Sequence, residues 1–149
     1  MNKLKGYLSD DMHITPHLTV AEYACRCGCE LGRHGADIVW EIVNDWEEIR
    51  RRGGDYPFNL SGCRCETHNA EVGGAADSAH LRRSALDTMP VGGWIAYKKA
   101  TGHTRQDFVK ICEDIIQDGG VGSKKYGDNG LVHIDRDRKL IAINPFRRW

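Results

Sequence analysis

The chain has 149 residues, with 21 Lys and Arg balanced by 21 Asp and Glu. That length suits one domain, residues 1–149, able to bury a core without staples. The zero net charge excludes the broad basic surface that a nucleic-acid partner or an anionic membrane would select.

No stretch approaches the roughly 20 apolar residues of a membrane span. The N-terminal stretch from Met1 to Asp11 carries lysines but neither an apolar run nor a small-residue cleavage site, so no secretory signal is expected. The expectation is a monomer made in the cytoplasm, without membrane insertion. An extracytoplasmic target would have to be reached by another route, such as a separate membrane pore.

Residues 1–36 read as irregular structure with short strand or helix pieces. Thr19 is placed to cap a short helix through Val20, Ala21 and Glu22. Cys25-Arg26-Cys27-Gly28-Cys29 follows as a turn or extended knuckle, because alternate residues cannot all share one helix face. From Asp37 to Arg52 the apolar residues Ile38, Val39, Ile42, Val43, Trp46 and Ile49 recur at helical spacing, and Gly53-Gly54 ends the run. Trp46 reads as core. Tyr56 to Leu60 is a short strand candidate leading into Ser61-Gly62-Cys63-Arg64-Cys65.

Polar and small residues then dominate through His68 and Gly73-Gly74 to Asp87, as in a loop region that carries a site. Trp94 to Tyr97 begins a short element. Thr104 and Asp107 cap a second helix with Phe108, Ile111, Cys112, Ile115 and Ile116 on one face, which makes Cys112 a core thiol. Strand character follows at Val121, Leu131 to Asp135 and Leu140 to Ile143, with a turn at Gly127-Asp128-Asn129-Gly130. Two helices, several short strands and no βαβ alternation predict an α+β fold, with helices packed on a small, mostly antiparallel sheet.

Two features carry chemistry. His80, Asp87 and the distant His133 form a set of three ligands suited to a catalytic zinc ion, which leaves one position open for water. His133 and Asp135 share one face of their strand by its period of two. Taken by residue type alone, two such histidines are more often unrelated surface or core side chains. Cys25, Cys27, Cys29, Cys63 and Cys65, with His34 and His68 near in sequence, offer more than four ligands for a closed structural zinc. Disulfides or free thiols remain open as alternatives.

The ordered blocks narrow the choice. Leu18 to Cys25, Leu60-Ser61-Gly62-Cys63-Arg64-Cys65, His68 to Ala75, Ser78-x-His80 with Ala85-x-Asp87, Gly120-Val121-Gly122, and Val132-His133-Ile134-Asp135 together resemble the D-alanyl-D-alanine carboxypeptidase family of zinc peptidases. That family includes phage endolysins cutting the L-alanyl-D-glutamate bond and shares its fold with the hedgehog signalling domain. The resemblance implies that His80, Asp87 and His133 bind Zn2+, that Arg64 holds or polarises a substrate carbonyl or carboxylate, and that Ser78 orients substrate or a ligand. For Ser78 a local turn hydrogen bond is an equal alternative.

The implied activity is hydrolysis of peptidoglycan or its peptide fragments, as a D,D- or L,D-carboxypeptidase or as an endopeptidase. The zinc would polarise the carbonyl and acidify a water. A zinc-binding module of the same fold without turnover is the alternative.

The sequence departs from the family in two places. Relatives place an acidic base three residues before the last histidine, here Gly130, or a histidine two before it, here Leu131. The nearest acids are Asp128, expected as base, and Asp135, expected to orient a ligand. Arg83 stands where the family has glycine, so a different local turn is expected there.

Overall fold

The computed structural model describes residues 4–149. The first three residues of the lysine-bearing N-terminal stretch lie outside that range. Two short paired strands, β1 (His13–Thr15) and β2 (Leu18–Thr19), open the described chain. They lead into a single turn of helix, α1 (Val20–Tyr23), where Thr19 and Glu22 exchange the hydrogen bonds of a capping box. The long helix α2 covers Trp40–Arg52, three residues later than its apolar stripe suggests. Asp37 closes a 3-10 turn and accepts the Gly32 amide hydrogen. The β-branched Ile38 and Val39 stay extended behind it.

Strand β3 (Phe58–Ser61) is followed by the short helix α3 (Glu66–Glu71), a 3-10 turn at Ala79–Arg82, and strand β4 (Ala85–Pro90). Helices α4 (Gly93–Thr101) and α5 (Arg105–Ile115) come next. Thr104 and Asp107 again form a capping box. Strands β5 (Gly119–Gly122) and β6 (Val132–Asp135) then precede helix α6 (Arg138–Ile143) and strand β7 (Phe146–Arg148). The strand expected at Leu140 to Ile143 is therefore a helix. A short apolar run does not distinguish the two by periodicity. The chain leaves the sheet after Asp135 because buried Asp137 is held by Arg82 and Ser84.

The main sheet has the order β3-β4-β6-β5-β7 and is antiparallel except for the β5–β7 pair, which is the expected α+β architecture. Its register sorts side chains onto two faces. Leu86 pairs with Ile134, Thr88 with Val132 and with Leu60, and Val121 with Ile134. All these side chains are buried. The apolar ones, with Phe58, pack against Ile42, Trp46, Ile49, Tyr97, Phe108 and Cys112 of the helices in one core cluster. Phe58 is its centre, with its ring stacked on Phe108 at 4.9 Å and edge-on to Trp46 at 5.1 Å. Burying a side chain of this size contributes about 1.5–3 kcal/mol. The opposite face carries Ser61, Asp87 and His133 on three adjacent strands, and Asp135 beside them. Among the described residues no helix is long and apolar enough to cross a membrane.

Candidate metal centre

Asp87 and His133 are direct cross-strand partners of β4 and β6, so the sheet itself brings the carboxylate and the imidazole together. His133 Nδ1 lies 3.0 Å from Asp87 Oδ1. His80 reaches the same carboxylate from the 3-10 turn, with Nε2 at 3.2 Å from Oδ1. Its position is fixed at two points. The backbone N–H of His80 donates to Ser78 Oγ, and Nδ1 donates to the Gly62 carbonyl at 2.6 Å.

The bond to Gly62 settles which nitrogen of His80 is free. A carbonyl only accepts, so His80 Nδ1 carries the proton and Nε2 presents a lone pair. Nε2 is buried with no hydrogen-bond partner. The 3.2 Å approach to Asp87 thus sets two electron-rich atoms against each other, an unfavourable contact unless a cation lies between them. His133 lies between two carboxylates, with Nε2 at 2.9 Å from Asp135 Oδ2 and Nδ1 at 3.0 Å from Asp87 Oδ1. Without a metal these two anions raise its pKa against the effect of burial, whereas a cation beside Asp87 would take the Nδ1 lone pair and leave the Nε2 proton on the Asp135 side. The ligand atoms of His80, Asp87 and His133 all lie within 4.8 Å of one another. Tetrahedral zinc with bonds of about 2.0–2.2 Å separates its N and O ligands by roughly 3.4 Å, so the donor set fits zinc in both chemistry and spacing.

Burial lowers the pKa of His80, which favours the neutral imidazole that binds metal.

Asp135 is buried behind His133. Arg147 grips both its oxygens, at 2.5 Å and 3.2 Å, and the Asp137 amide donates to Oδ1 at 3.2 Å. Burial opposes its charge, yet the hydrogen bonds from His133 and Arg147 bring its pKa well below the ordinary value. With both oxygens engaged, it orients the imidazole and its neighbours rather than facing solvent. Gly120 and Gly122 make this possible. A Cβ on Gly120 would stand 2.3 Å from Asp135 Oδ2, and one on Gly122 would meet the Trp149 indole at 2.7 Å. Trp149 in turn lies against His133, with ring centroids 5.2 Å apart.

A cavity of about 460 Å³ opens over the cluster, lined among others by Arg64, Ser78, Tyr126, Leu140 and Trp149. Arg64 stands on the connection between β3 and α3, and its backbone N–H donates to the His80 carbonyl at 3.1 Å. Its Nη2 donates to Ser78 Oγ at 3.4 Å, while the buried Nε has no partner. Ser78 thus caps the His80 turn and steadies Arg64 together.

Asp128 is not brought to the cluster. It is exposed in the 127–130 turn and is not among the residues lining the cavity. Gly130 explains why relatives' acidic residue has no counterpart. A Cβ there would lie 2.0 Å from the Tyr126 carbonyl oxygen, and the Gly130 carbonyl accepts bonds from Trp94 and Arg105. Arg83 keeps a left-handed backbone, with φ 64° and ψ 13°, so the glycine-like turn survives without glycine. Tyr126, Arg147 and Trp149 were not legible as site residues. Only their place on the cavity wall identifies them, and no spacing rule reaches them.

Among the clustered cysteines, the sulfurs of Cys25, Cys27, Cys29 and Cys65 gather within 4.8 Å of one another. Cys63 does not join them. It is buried, and burial beside Tyr23 pushes its thiol pKa up to about 12. His34 packs edge-on against Tyr7, and the His68 ring lies 3.9 Å from the Glu71 carboxylate.

The family profile of peptidase M15 matches residues 16–135. The match covers most of the chain, including His80, Asp87 and His133, and the chain belongs to this family of zinc-dependent peptidases. No curated protein matches it.

Proposed function

We propose that the protein is a zinc metallopeptidase that hydrolyses peptidoglycan stem peptides, as a D,D- or L,D-carboxypeptidase or as an endolysin-type endopeptidase. Residues 1–149 would form one peptidase domain. The observation that carries the reading is the convergence of His80 Nε2, which holds a lone pair without a partner, with His133 Nδ1 and the Asp87 carboxylate, all within 4.8 Å of one another, beneath a cavity whose wall holds an arginine with an unpaired N–H.

His80, Asp87 and His133 would hold the zinc, which when bound polarises the scissile carbonyl and acidifies a water. Arg64 would receive the substrate's carbonyl or carboxylate through its fork of donors, with Ser78 fixing the side chain. Asp135, braced by Arg147, would keep His133 in the tautomer that binds metal.

A second reading, a zinc-binding module of the same fold without turnover, is favoured by the crowding at Gly130, which leaves no acidic side chain at the position of the relatives' base. One experiment separates the two. Purified cell wall is digested with the zinc-loaded protein, with and without chelator, and the released muropeptides are identified by mass spectrometry. Zinc-dependent release of new amino termini or single amino acids supports the peptidase and names the bond cut. No release at any zinc level, from protein shown to contain zinc, leaves the module.

A further inference from the structure

We propose that Cys25, Cys27, Cys29 and Cys65 form a second, closed zinc site that ties the knuckle loop after α1 to the segment carrying Arg64. Three observations carry it. The first is spacing. The sulfur of Cys27 is 3.5 Å from that of Cys25 and 3.4 Å from that of Cys65, and all four sulfurs lie within 4.8 Å of one another. A tetrahedral zinc with Zn–S bonds of about 2.3 Å sets its sulfurs roughly 3.8 Å apart. A disulfide needs about 2.05 Å and engages sulfurs only in pairs.

The second is the backbone around the sulfurs. The Cys65 amide donates to Cys25 Sγ and the His68 amide to Cys65 Sγ, each at 3.4 Å. Cys25 and Cys65, one from each cluster, thus each receive an N–H, the arrangement that stabilises an anionic thiolate. The knuckle and the Arg64 segment are joined through the Cys65 amide. Gathering the sulfurs requires the chain to fold back sharply within the knuckle, which Gly28 allows with φ 85°. Cys65 also caps the N-terminal turn of α3.

The third is selection among the cysteines. Cys63 lies only two positions from Cys65, yet it is turned into the core beside Tyr23. Four thiols remain, the number that closes a structural zinc.

The site would act on the neighbouring chemistry by position. Gly62 and Cys63 run beside α1, donating their amides to the Glu22 and Tyr23 carbonyls. Gly62 supplies the carbonyl that fixes the His80 tautomer, and Arg64 lies between the core thiol Cys63 and the ligand Cys65. Pinning Cys65 to the knuckle therefore holds both.

Cobalt gives a test independent of peptidase activity. Loaded into the reduced wild-type protein, Co2+ at a tetrathiolate site produces intense sulfur-to-metal charge-transfer absorption in the near ultraviolet, whereas a His/Asp/His centre has no sulfur to produce it. The band is expected, and it should weaken in C27S and vanish in C25S/C27S/C29S/C65S while persisting in the H80A/H133A double variant. That double variant, if folded, should also retain about one zinc per chain by elemental analysis.

Cobalt-loaded folded wild-type protein without the band would overturn the proposal. So would a band that survives C27S unchanged, iron in place of zinc as purified, or a mass showing two disulfides among these cysteines under conditions that keep Cys112 reduced. Failure of the wall digestion leaves each of these outcomes unaffected.

Discussion

Arg83→Gly should stabilise the protein. Arg83 ends the His80 turn with φ 64° and ψ 13°, and its carbonyl is fixed by the Tyr23 hydroxyl at 2.6 Å. The left-handed conformation costs a residue with a Cβ about 1–2 kcal/mol. Glycine removes that cost but gives back about 0.5–1 kcal/mol through the greater freedom of the unfolded chain. The Arg83 side chain contributes little in return. Its guanidinium is 4.0 Å from Asp37 and part-exposed, an ion pair worth a few tenths of a kcal/mol at most, on the scale of roughly 0–1 kcal/mol for surface pairs. The expected net gain is about 0.5–1 kcal/mol, a rise in Tm of roughly 1–4 °C for a chain of this size. Arg83→Ala is the control, because it loses the same side chain and keeps the backbone cost, so its Tm should stay level or fall slightly. Urea denaturation of both variants, metal-free and followed by circular dichroism, supplies the comparison. If R83A gained as much as R83G, the side chain and not the backbone would be the source, and the reasoning would fail.

Other perturbations address the site and the core. His80→Ala should weaken zinc binding at the His/Asp/His centre by more than about 100-fold, beyond the 10–100-fold typical of supporting groups; titration against a chromogenic chelator in a C27S background measures it, and unchanged affinity would remove His80 from the ligand set. Asp135→Asn should cost roughly 10–100-fold in the same affinity, and an affinity equal to wild type would show that His133 needs no brace. Arg64→Lys should lower kcat/KM on the cleaved muropeptide by about 10–150-fold, the equivalent of losing a charged hydrogen bond of about 1.5–3 kcal/mol; a lysine variant with full activity would show that charge alone suffices. Phe58→Ala should destabilise the fold by about 3–5 kcal/mol, since its ring touches those of Trp46, Trp94, Tyr97 and Phe108; a loss below about 1 kcal/mol in urea would mean that the cluster repacks.

What was legible in the sequence depended on whether neighbours in space are neighbours in pattern. Capping boxes at Thr19 and Thr104 are local, and both formed where expected. The strand period that set His133 and Asp135 on one face also held, because β6 is central and its other face is core. Leu140 to Ile143 misled because its apolar side chains answer to no sheet partner; the helix leaves Ile143 exposed. Strand β4 was hidden inside what reads as loop, since its polar positions Asp87 and Thr88 are explained only by the strands on either side. Asp128 shows the same dependence: it is near His133 in sequence, but the fold leaves it exposed in its turn and off the cavity wall.

The C-terminal segment explains a motif that resemblance could only point to. Gly120-Val121-Gly122 pairs with both neighbours, antiparallel to β6 and parallel to β7. Val121 faces the core, while the glycines, opposite Asp135 and His133, leave the other face bare. Into that space come Arg147, the register partner of Gly120, and Trp149 over Gly122. Arg147 fixes Asp135 as an anion, and Asp135 faces His133 Nε2 on the side away from Asp87. The surroundings of His133 are thus set through two glycines and a strand beyond residue 135, where the family match ends. A side chain at position 120 would have to displace Asp135, and one at position 122 the Trp149 indole, so either would disturb the surroundings of His133 from outside the His80, Asp87 and His133 cluster.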